Sequence, residues 1–90
     1  MLSSWVNKRY LRTLTTIFAV PPTMRWADIE ALFAAIGHVK EREGSRVVAV
    51  VNGVSAVFHR PHSSPEARRM LIRDVKGFLA NAGVRPEDNA

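Results

Sequence analysis

The 90-residue chain contains no cysteine. It therefore has no disulfide framework, no thiolate metal site and no cysteine nucleophile, which fits a cytosolic protein. No apolar run approaches the ~18 residues that a membrane-spanning helix needs. The basic start followed by residues 14–20 faintly resembles a signal peptide, but Thr15 and Thr16 interrupt that stretch and Pro21-Pro22 closes it. We therefore expect a cytoplasmic protein that does not enter a membrane.

Internal repeats and low-complexity runs are also lacking, and the composition is that of an ordinary globular chain. Hydrophobic residues make up 47% of the sequence and charged residues 23%, which suits one small domain with one modest core. The net charge is +5 and the pI is near 10.8. Such a balance favours a polyanionic partner, either nucleic acid or an acidic protein. A basic surface that serves solubility alone is the alternative at this point.

A predicted β-hairpin around Asn52-Gly53 organises the chain. Asn-Gly supplies two residues that tolerate positive φ, as a type I′ turn requires. A two-residue loop sets the register, so Val51 faces Val54 and each further pair steps outward by one. Arg46 then lies opposite His59, with Cβ atoms about 4.5–5.5 Å apart.

Strand alternation sorts the hairpin into two faces, and a slip of one residue would break this assignment. The polar end of the open face is predicted at Arg46 and His59. The face expected to meet helices carries Val47, Ala49, Val51, Val54, Ala56 and Phe58. The open face carries Arg46, Val48, Val50, Ser55, Val57 and His59.

Apolar periodicity predicts helices over residues 5–19, 27–36 and 65–82. Ser64 suits the N-cap of the last helix and Pro65 its first position. The stripe expected to be buried in that helix comprises Leu71, Val75, Phe78, Leu79 and Ala82. Trp26, just before the second helix, is expected in the core rather than stacked on a base.

A short strand over residues 38–43 completes the predicted sheet. His38, Lys40 and Arg42 would project from the open face beside Arg46. The pattern predicts an α+β fold: a small three-stranded antiparallel sheet with helices packed on one face, preceded by an extra N-terminal helix. We divide the chain into a helical extension (1–22), a core domain (23–84) and a frayed C-terminal tail (85–90).

The titratable side chains favour one chemistry over others. The chain has three histidines, a residue type whose ordinary pKa lies near neutrality, but their spacing and neighbours do not suggest a metal site. No phosphate-binding Gly-rich loop or nucleophile elbow is present in the sequence. Arg46 and His59 fit metal-free RNA cleavage, in which an imidazole moves protons and a guanidinium binds the phosphate. On the residues alone, a plain polar cross-strand pair at the end of the sheet is the favoured interpretation.

Taken together, these segments resemble the HicA toxin family over residues 25–84. The order and spacing of the pieces carry the resemblance, since no piece is diagnostic alone. The segments that carry the resemblance are RWADIEAL at 25–32, AIG at 35–37, EREGS at 41–45, VNG at 51–53, FHRPH at 58–62, VKGFL at 75–79 and AGV at 82–84. Residues 1–22 resemble an extension found in one branch of that family.

The resemblance implies a double-stranded-RNA-binding-like fold with α-β-β-β-α order. It further implies an mRNA interferase of a type II toxin–antitoxin system, neutralised by a HicB antitoxin and needing no cofactor. The common family pattern places its catalytic histidine directly after Gly-Ser, where this chain has Arg46. That role cannot be carried over to this position. His59, across from Arg46, and His62, which resembles the family's histidine at the end of the third strand, are the candidates to replace it.

Two classes of function therefore stay open. The first is a metal-independent ribonuclease toxin with His59, Arg46 and His62 as catalytic residues. The side chains expected to hold RNA are Ser45, Lys40, Arg42, Arg60, Arg73 and Lys76. The second is a module of the same fold that binds RNA or a protein without catalysis, because shape-reading of an RNA duplex needs only basic side chains.

Overall fold

An antiparallel sheet of three strands in the order β2-β3-β4 forms the centre of the computed structural model, which describes residues 8–88. Three helices and a separate two-stranded β1-β5 sheet complete this small α+β fold in the described part of the chain. The elements in chain order are α1 (Lys8–Ala19), β1 (Thr23–Arg25), α2 (Trp26–Ile36), β2 (His38–Arg42), β3 (Arg46–Val51), β4 (Val54–His59), β5 (Glu66–Arg68) and α3 (Arg69–Asn81).

The predicted hairpin is confirmed residue by residue. Asn52 and Gly53 have φ of 52° and 80°, the positive values that a type I′ turn requires. The strand pairs run from Val51 opposite Val54 to Arg46 opposite His59. The Asn52 side chain also donates a hydrogen bond of 2.9 Å from Nδ2 to the carbonyl oxygen of Ala82, which ties the turn to the end of α3.

The core lies between the inner face of this sheet and the three helices. Phe33 of α2 is fully buried and stacks on Phe58 of β4, with ring centroids 5.6 Å apart. The rings of Phe78 in α3 and of Trp26 both meet the Phe33 ring edge-on, with centroid distances of 5.7 and 6.5 Å. Trp26 is 4% exposed, so the expected core position is confirmed. The helices therefore cover one face of the sheet and leave the other open.

The start of the last helix departs from the sequence prediction. The Ser64 hydroxyl accepts a hydrogen bond of 3.1 Å from the Glu66 amide, which makes a local turn instead of a helix cap. Residues Glu66–Arg68 then form β5, which pairs with β1, and the helix begins only at Arg69. The predicted capping role of Ser64 and Pro65 is therefore wrong, because strand pairing with β1 holds these residues extended.

The buried stripe of α3 also differs from the expected one at its first position. Ile72 is fully buried, whereas Leu71 is only half-buried. The remaining positions are confirmed as buried: Val75, Phe78, Leu79 and Ala82.

The N-terminal helix belongs to the same core. Leu14 and Ile17 of α1 are fully buried, and α1 contacts both α2 and α3. The first part of the predicted helix, residues 5–7, lies outside the described residues. Within the tail expected to fray (85–90), Pro86–Asp88 form a short helical turn that contacts α1, and residues 89–90 lie outside the described residues. Within residues 8–88, every helix is too short or too polar to cross a bilayer.

Candidate active site

The open face of the sheet brings three charged or titratable side chains into one line. Arg42 pairs with Arg46 between β2 and β3, and Arg46 pairs with His59 between β3 and β4. Directly paired residues point to the same side of a sheet, so the three form a continuous arginine–histidine row (Arg42, Arg46 and His59). All three are exposed. The row is thus accessible to a ligand that lies across the sheet.

The turn between β2 and β3 orients the central arginine of this row. Gly44 and Ser45 both have positive φ, 74° and 63°, which brings the chain back sharply after β2. The Nε of Arg46 donates a hydrogen bond of 3.0 Å to the carbonyl oxygen of Glu43 in that turn. This bond holds the guanidinium beside the turn through one nitrogen. Its two Nη groups are the donors suited to a forked contact with phosphate oxygens.

A shallow depression of about 230 Å³ adjoins the row on the sheet surface. Arg42 and Arg46 line it together with Val48 and Val57. Val57 is 55% exposed, although it is a large apolar side chain on a strand. The depression therefore joins two cations to an apolar floor, a surface that suits a sugar–phosphate chain better than a bare anion.

His59 also opens to the other side, into a groove of about 260 Å³ between β4, the following loop and the start of α3. We refer to it as the histidine groove because it holds two of the three histidines. Its lining residues are His59, Pro61, His62, Ser63, Ser64, Glu66, Arg68 and Leu71. The structure thus brings His62 to the same groove as His59, which makes a two-imidazole site possible.

Arg60 does not join this surface. It follows His59 in an extended chain, so its side chain turns to the opposite side of the sheet. There its Nη2 binds carboxylate oxygens of Glu30 at 2.5 Å and Glu41 at 2.7 Å. The hydrogen bond to Glu30, then that to Glu41, raises the pKa of the guanidinium. Arg60 therefore joins α2 and β2 to the end of β4, and its expected place on an RNA-binding surface is not supported.

Two further predicted RNA-binding residues line neither the depression beside the row nor the histidine groove. Arg73 is exposed on α3, on the side of the helix opposite its buried stripe. Because α3 covers the inner face of the sheet, that side points away from the open face. Lys76 leans towards α1, with Nζ 5.7 Å from the centroid of the Phe18 ring. Neither cation is brought together with His59.

The remaining predicted contacts lie near the row. Lys40 is exposed on β2, opposite Val48 and one row away from Arg42. Ser45 is half-buried in the turn that precedes Arg46, and its carbonyl oxygen accepts a hydrogen bond of 2.8 Å from the Arg60 amide. Ser45 therefore helps to hold the two strand ends together beside the row.

Glu66 and Arg68 also line the histidine groove, and the sequence prediction did not include them among the candidate residues. They flank the buried Ala67 on β5, so both side chains leave the same face of that strand. Alternation of charged, small and charged residues is a strand signal. Over three residues, however, it is outweighed by the helix-start pattern of Ser64 and Pro65 just before it.

Comparison with known proteins adds no assignment, since no protein-family model, curated protein or solved structure matches this chain. The described residues place two imidazoles in one groove and an arginine directly across from one of them. Side chains of these types can move protons and bind a phosphate.

Proposed function

We propose that this protein is a metal-independent endoribonuclease, a toxin of the HicA type that cleaves mRNA in the cytoplasm and is neutralised by a HicB-like antitoxin. The observation that carries the proposal is the position of His59. It ends the arginine–histidine row and at the same time lines the groove that contains His62. The order α2-β2-β3-β4-β5-α3 contains the α-β-β-β-α series that the resemblance implies, with the short strand β5 added before the last helix.

The site residues can perform cleavage by transfer to the adjacent 2′-hydroxyl. One imidazole of the His59/His62 pair takes the proton of the 2′-hydroxyl, whose oxygen attacks the phosphorus. The bond from phosphorus to the 5′-oxygen breaks, and the second imidazole gives that oxygen its proton. Imidazoles suit both roles because their ordinary pKa lies close to neutral pH.

Arg46 stabilises the charge that builds on the phosphate during this step. Arg46 pairs directly with His59 across neighbouring strands, and the bond from its Nε to the Glu43 carbonyl restrains the guanidinium. A donor fixed before the reaction costs little reorganisation when the charge develops. Arginine at this position is therefore suited to binding the transition state, although it cannot replace the histidine of the common family pattern as a base.

The rest of the open face would hold the RNA strand. Lys40 and Arg42 extend the positive surface along β2, and Val48 and Val57 give riboses an apolar floor. Contacts between cations and phosphates release counterions, so binding weakens as salt rises.

The same face suits the antitoxin. Val48, Val50 and Val57 form an apolar patch bordered by Lys40 and Arg42, so an acidic partner could bury the valines and pair with the cations. A partner seated there would exclude RNA from the row.

A labelled transcript incubated with purified protein tests the proposal. We expect His59→Ala to slow cleavage by about 10²-fold or more, the usual effect of losing an acid–base group. Arg46→Ala and His62→Ala are expected to slow it as well. His38→Ala is the matched control, because His38 lies on the same face, opposite Val50 at the other end of β2. An intact transcript with the wild-type protein would overturn the proposal, as would equal losses in His59→Ala and His38→Ala.

A non-catalytic module is the second candidate, and the presence of arginine at position 46 favours it. An arginine stands where the common family pattern has its catalytic histidine, and a guanidinium does not act as a base near neutral pH. Lys40, Arg42 and Arg46 on one open face would still bind RNA through its phosphates. Salt-sensitive RNA binding with no cleavage at any pH between about 5 and 9, the range over which imidazoles titrate, would establish this alternative.

A further inference from the structure

We infer that the histidine groove is a nucleotide subsite. In this inference Arg68 binds the phosphate next to the one being cleaved, and Glu66 selects a base that carries an amino group. The inference rests on the proposed ribonuclease function and adds to it a substrate position and a base preference. It also gives a role to the two-stranded sheet, which contributes to the central core only the buried Ala67 and the partly buried Met24.

The β1-β5 pairing fixes the wall of the groove. Arg25 pairs with Glu66, and Thr23 pairs with Arg68. The loop before β5 is held at two more points, by the Ser64 hydroxyl on the Glu66 amide and by a hydrogen bond of 3.0 Å from the Trp26 amide to the Pro65 carbonyl. Trp26 itself is anchored in the core. The backbone that carries Glu66 and Arg68 is thus restrained from both ends.

The groove combines the three kinds of surface that a nucleotide presents. Its cation, Arg68, matches a phosphate. Pro61 and Leu71 offer apolar surface to a base or ribose, and the Glu66 carboxylate accepts hydrogen bonds from N–H groups. The volume of about 260 Å³ falls just below the ~300–1,000 Å³ of ordinary small-molecule pockets. A single nucleotide unit of a longer strand fits this size and this polarity.

The position of the histidine groove beside the arginine–histidine row determines how a bound RNA strand would cross the surface. His59 belongs to both, with Arg46 on one side and His62 and Arg68 on the other. A strand whose reacting phosphate lies at His59 continues on one side along the sheet and on the other into the groove. The groove therefore receives the nucleotide directly next to the cleaved linkage.

Glu66 makes this position selective. A carboxylate accepts hydrogen bonds from the amino groups of adenine, cytosine and guanine, whereas uracil has no exocyclic amino group. Uracil offers only its N3–H, which lies between two carbonyl oxygens that the negative charge of the carboxylate repels. We therefore expect the flanking position in the groove to disfavour uracil.

The test uses short oligonucleotides in which a single ribonucleotide within a deoxy strand leaves one cleavable linkage, with the base on either side of it varied. We expect uracil on one side to lower kcat/KM by about 10-fold against the amino-bearing bases, and Glu66→Gln to remove most of that difference. Arg68→Gln should raise KM by about 10-fold with little change in kcat, because the subsite binds ground state and transition state alike. Arg73→Gln removes the same charge on the outer side of α3 and should leave both parameters unchanged.

The outcomes distinguish failure of the ribonuclease function from failure of the subsite alone. A wild-type protein that cleaves none of these oligonucleotides contradicts the proposed function and the subsite with it. Cleavage that is indifferent to both flanking bases, or an Arg68→Gln variant with the wild-type KM, contradicts the subsite alone. Equal falls in kcat/KM for Arg68→Gln and Arg73→Gln would also contradict the subsite, because such a result would show that only the net charge of the protein matters.

Discussion

The salt dependence of RNA binding separates a localised site from general attraction between a basic protein and RNA. In the proposed RNA site, four cations contact phosphates: Lys40, Arg42 and Arg46 on the open face and Arg68 in the histidine groove. Each phosphate contact to a single strand contributes about −0.7 to the slope of log K against log salt, so the wild-type slope should be near −2.8. Between about 50 and 200 mM salt, affinity should then fall about 50-fold.

Arg46→Gln and Arg73→Gln make a matched pair for this measurement, because each lowers the net charge by one. Arg46 lies in the row, whereas Arg73 lies on the solvent side of α3. We expect Arg46→Gln to reduce the slope to about −2.1, which corresponds to a loss of about 20-fold over the same salt range. Arg73→Gln should keep the wild-type slope.

Fluorescence anisotropy with a labelled 2′-O-methyl RNA measures these slopes without cleavage, since that RNA lacks the attacking hydroxyl. Lys76→Gln serves as a second control. Because the Lys76 Nζ lies over the Phe18 ring, circular dichroism checks that this variant is folded. Equal reductions in slope for Arg46→Gln and Arg73→Gln would refute the localised site. They would mean that RNA follows the overall charge of the protein.

Three predictions concern the scaffold, each measured by urea unfolding. Ile72→Ala should lower the free energy of unfolding by about 2–4 kcal/mol and Leu71→Ala by about 1 kcal/mol, because only Ile72 is fully buried; equal losses would contradict the observed helix orientation. Gly37→Ala should cost about 2 kcal/mol or more, because its Cβ would lie 2.1 Å from the Val50 carbonyl oxygen; a neutral effect would contradict that close approach. Arg60→Met should lower the free energy of unfolding by about 1 kcal/mol, a small value because solvent screens these partly exposed ion pairs. The loss should be the same at neutral and moderately alkaline pH, because the raised pKa of Arg60 keeps its guanidinium charged until strongly alkaline pH; a loss that changes between these two pH values would contradict this.

The hairpin shows what local sequence can predict. A two-residue Asn-Gly turn admits one register, and alternation then determines which side chains share a face. The pairing of Arg46 with His59 followed from counting alone and is confirmed. The same alternation would have turned Arg60 inward, had it been carried one residue past the strand.

The start of α3 shows where local sequence misleads. Ser64 and Pro65 form a sound helix-start pattern, yet the helix begins at Arg69. The competing interaction is the pairing of β5 with β1, whose partners are more than 40 residues apart in the chain. A strand of three residues has too little periodicity for its pairing with a distant strand to be predicted from the sequence.

The sequence by itself determined the central hairpin, the open and covered faces of the sheet and the α+β class, because each follows from interactions between residues close in the chain. Only the tertiary structure decided which cations share the site. It paired Arg60 with Glu30 and Glu41, turned Arg73 and Lys76 away, and brought Arg68 to His59 and His62. These placements depend on how distant segments pack against one another, and packing between distant segments leaves no periodic trace in the sequence.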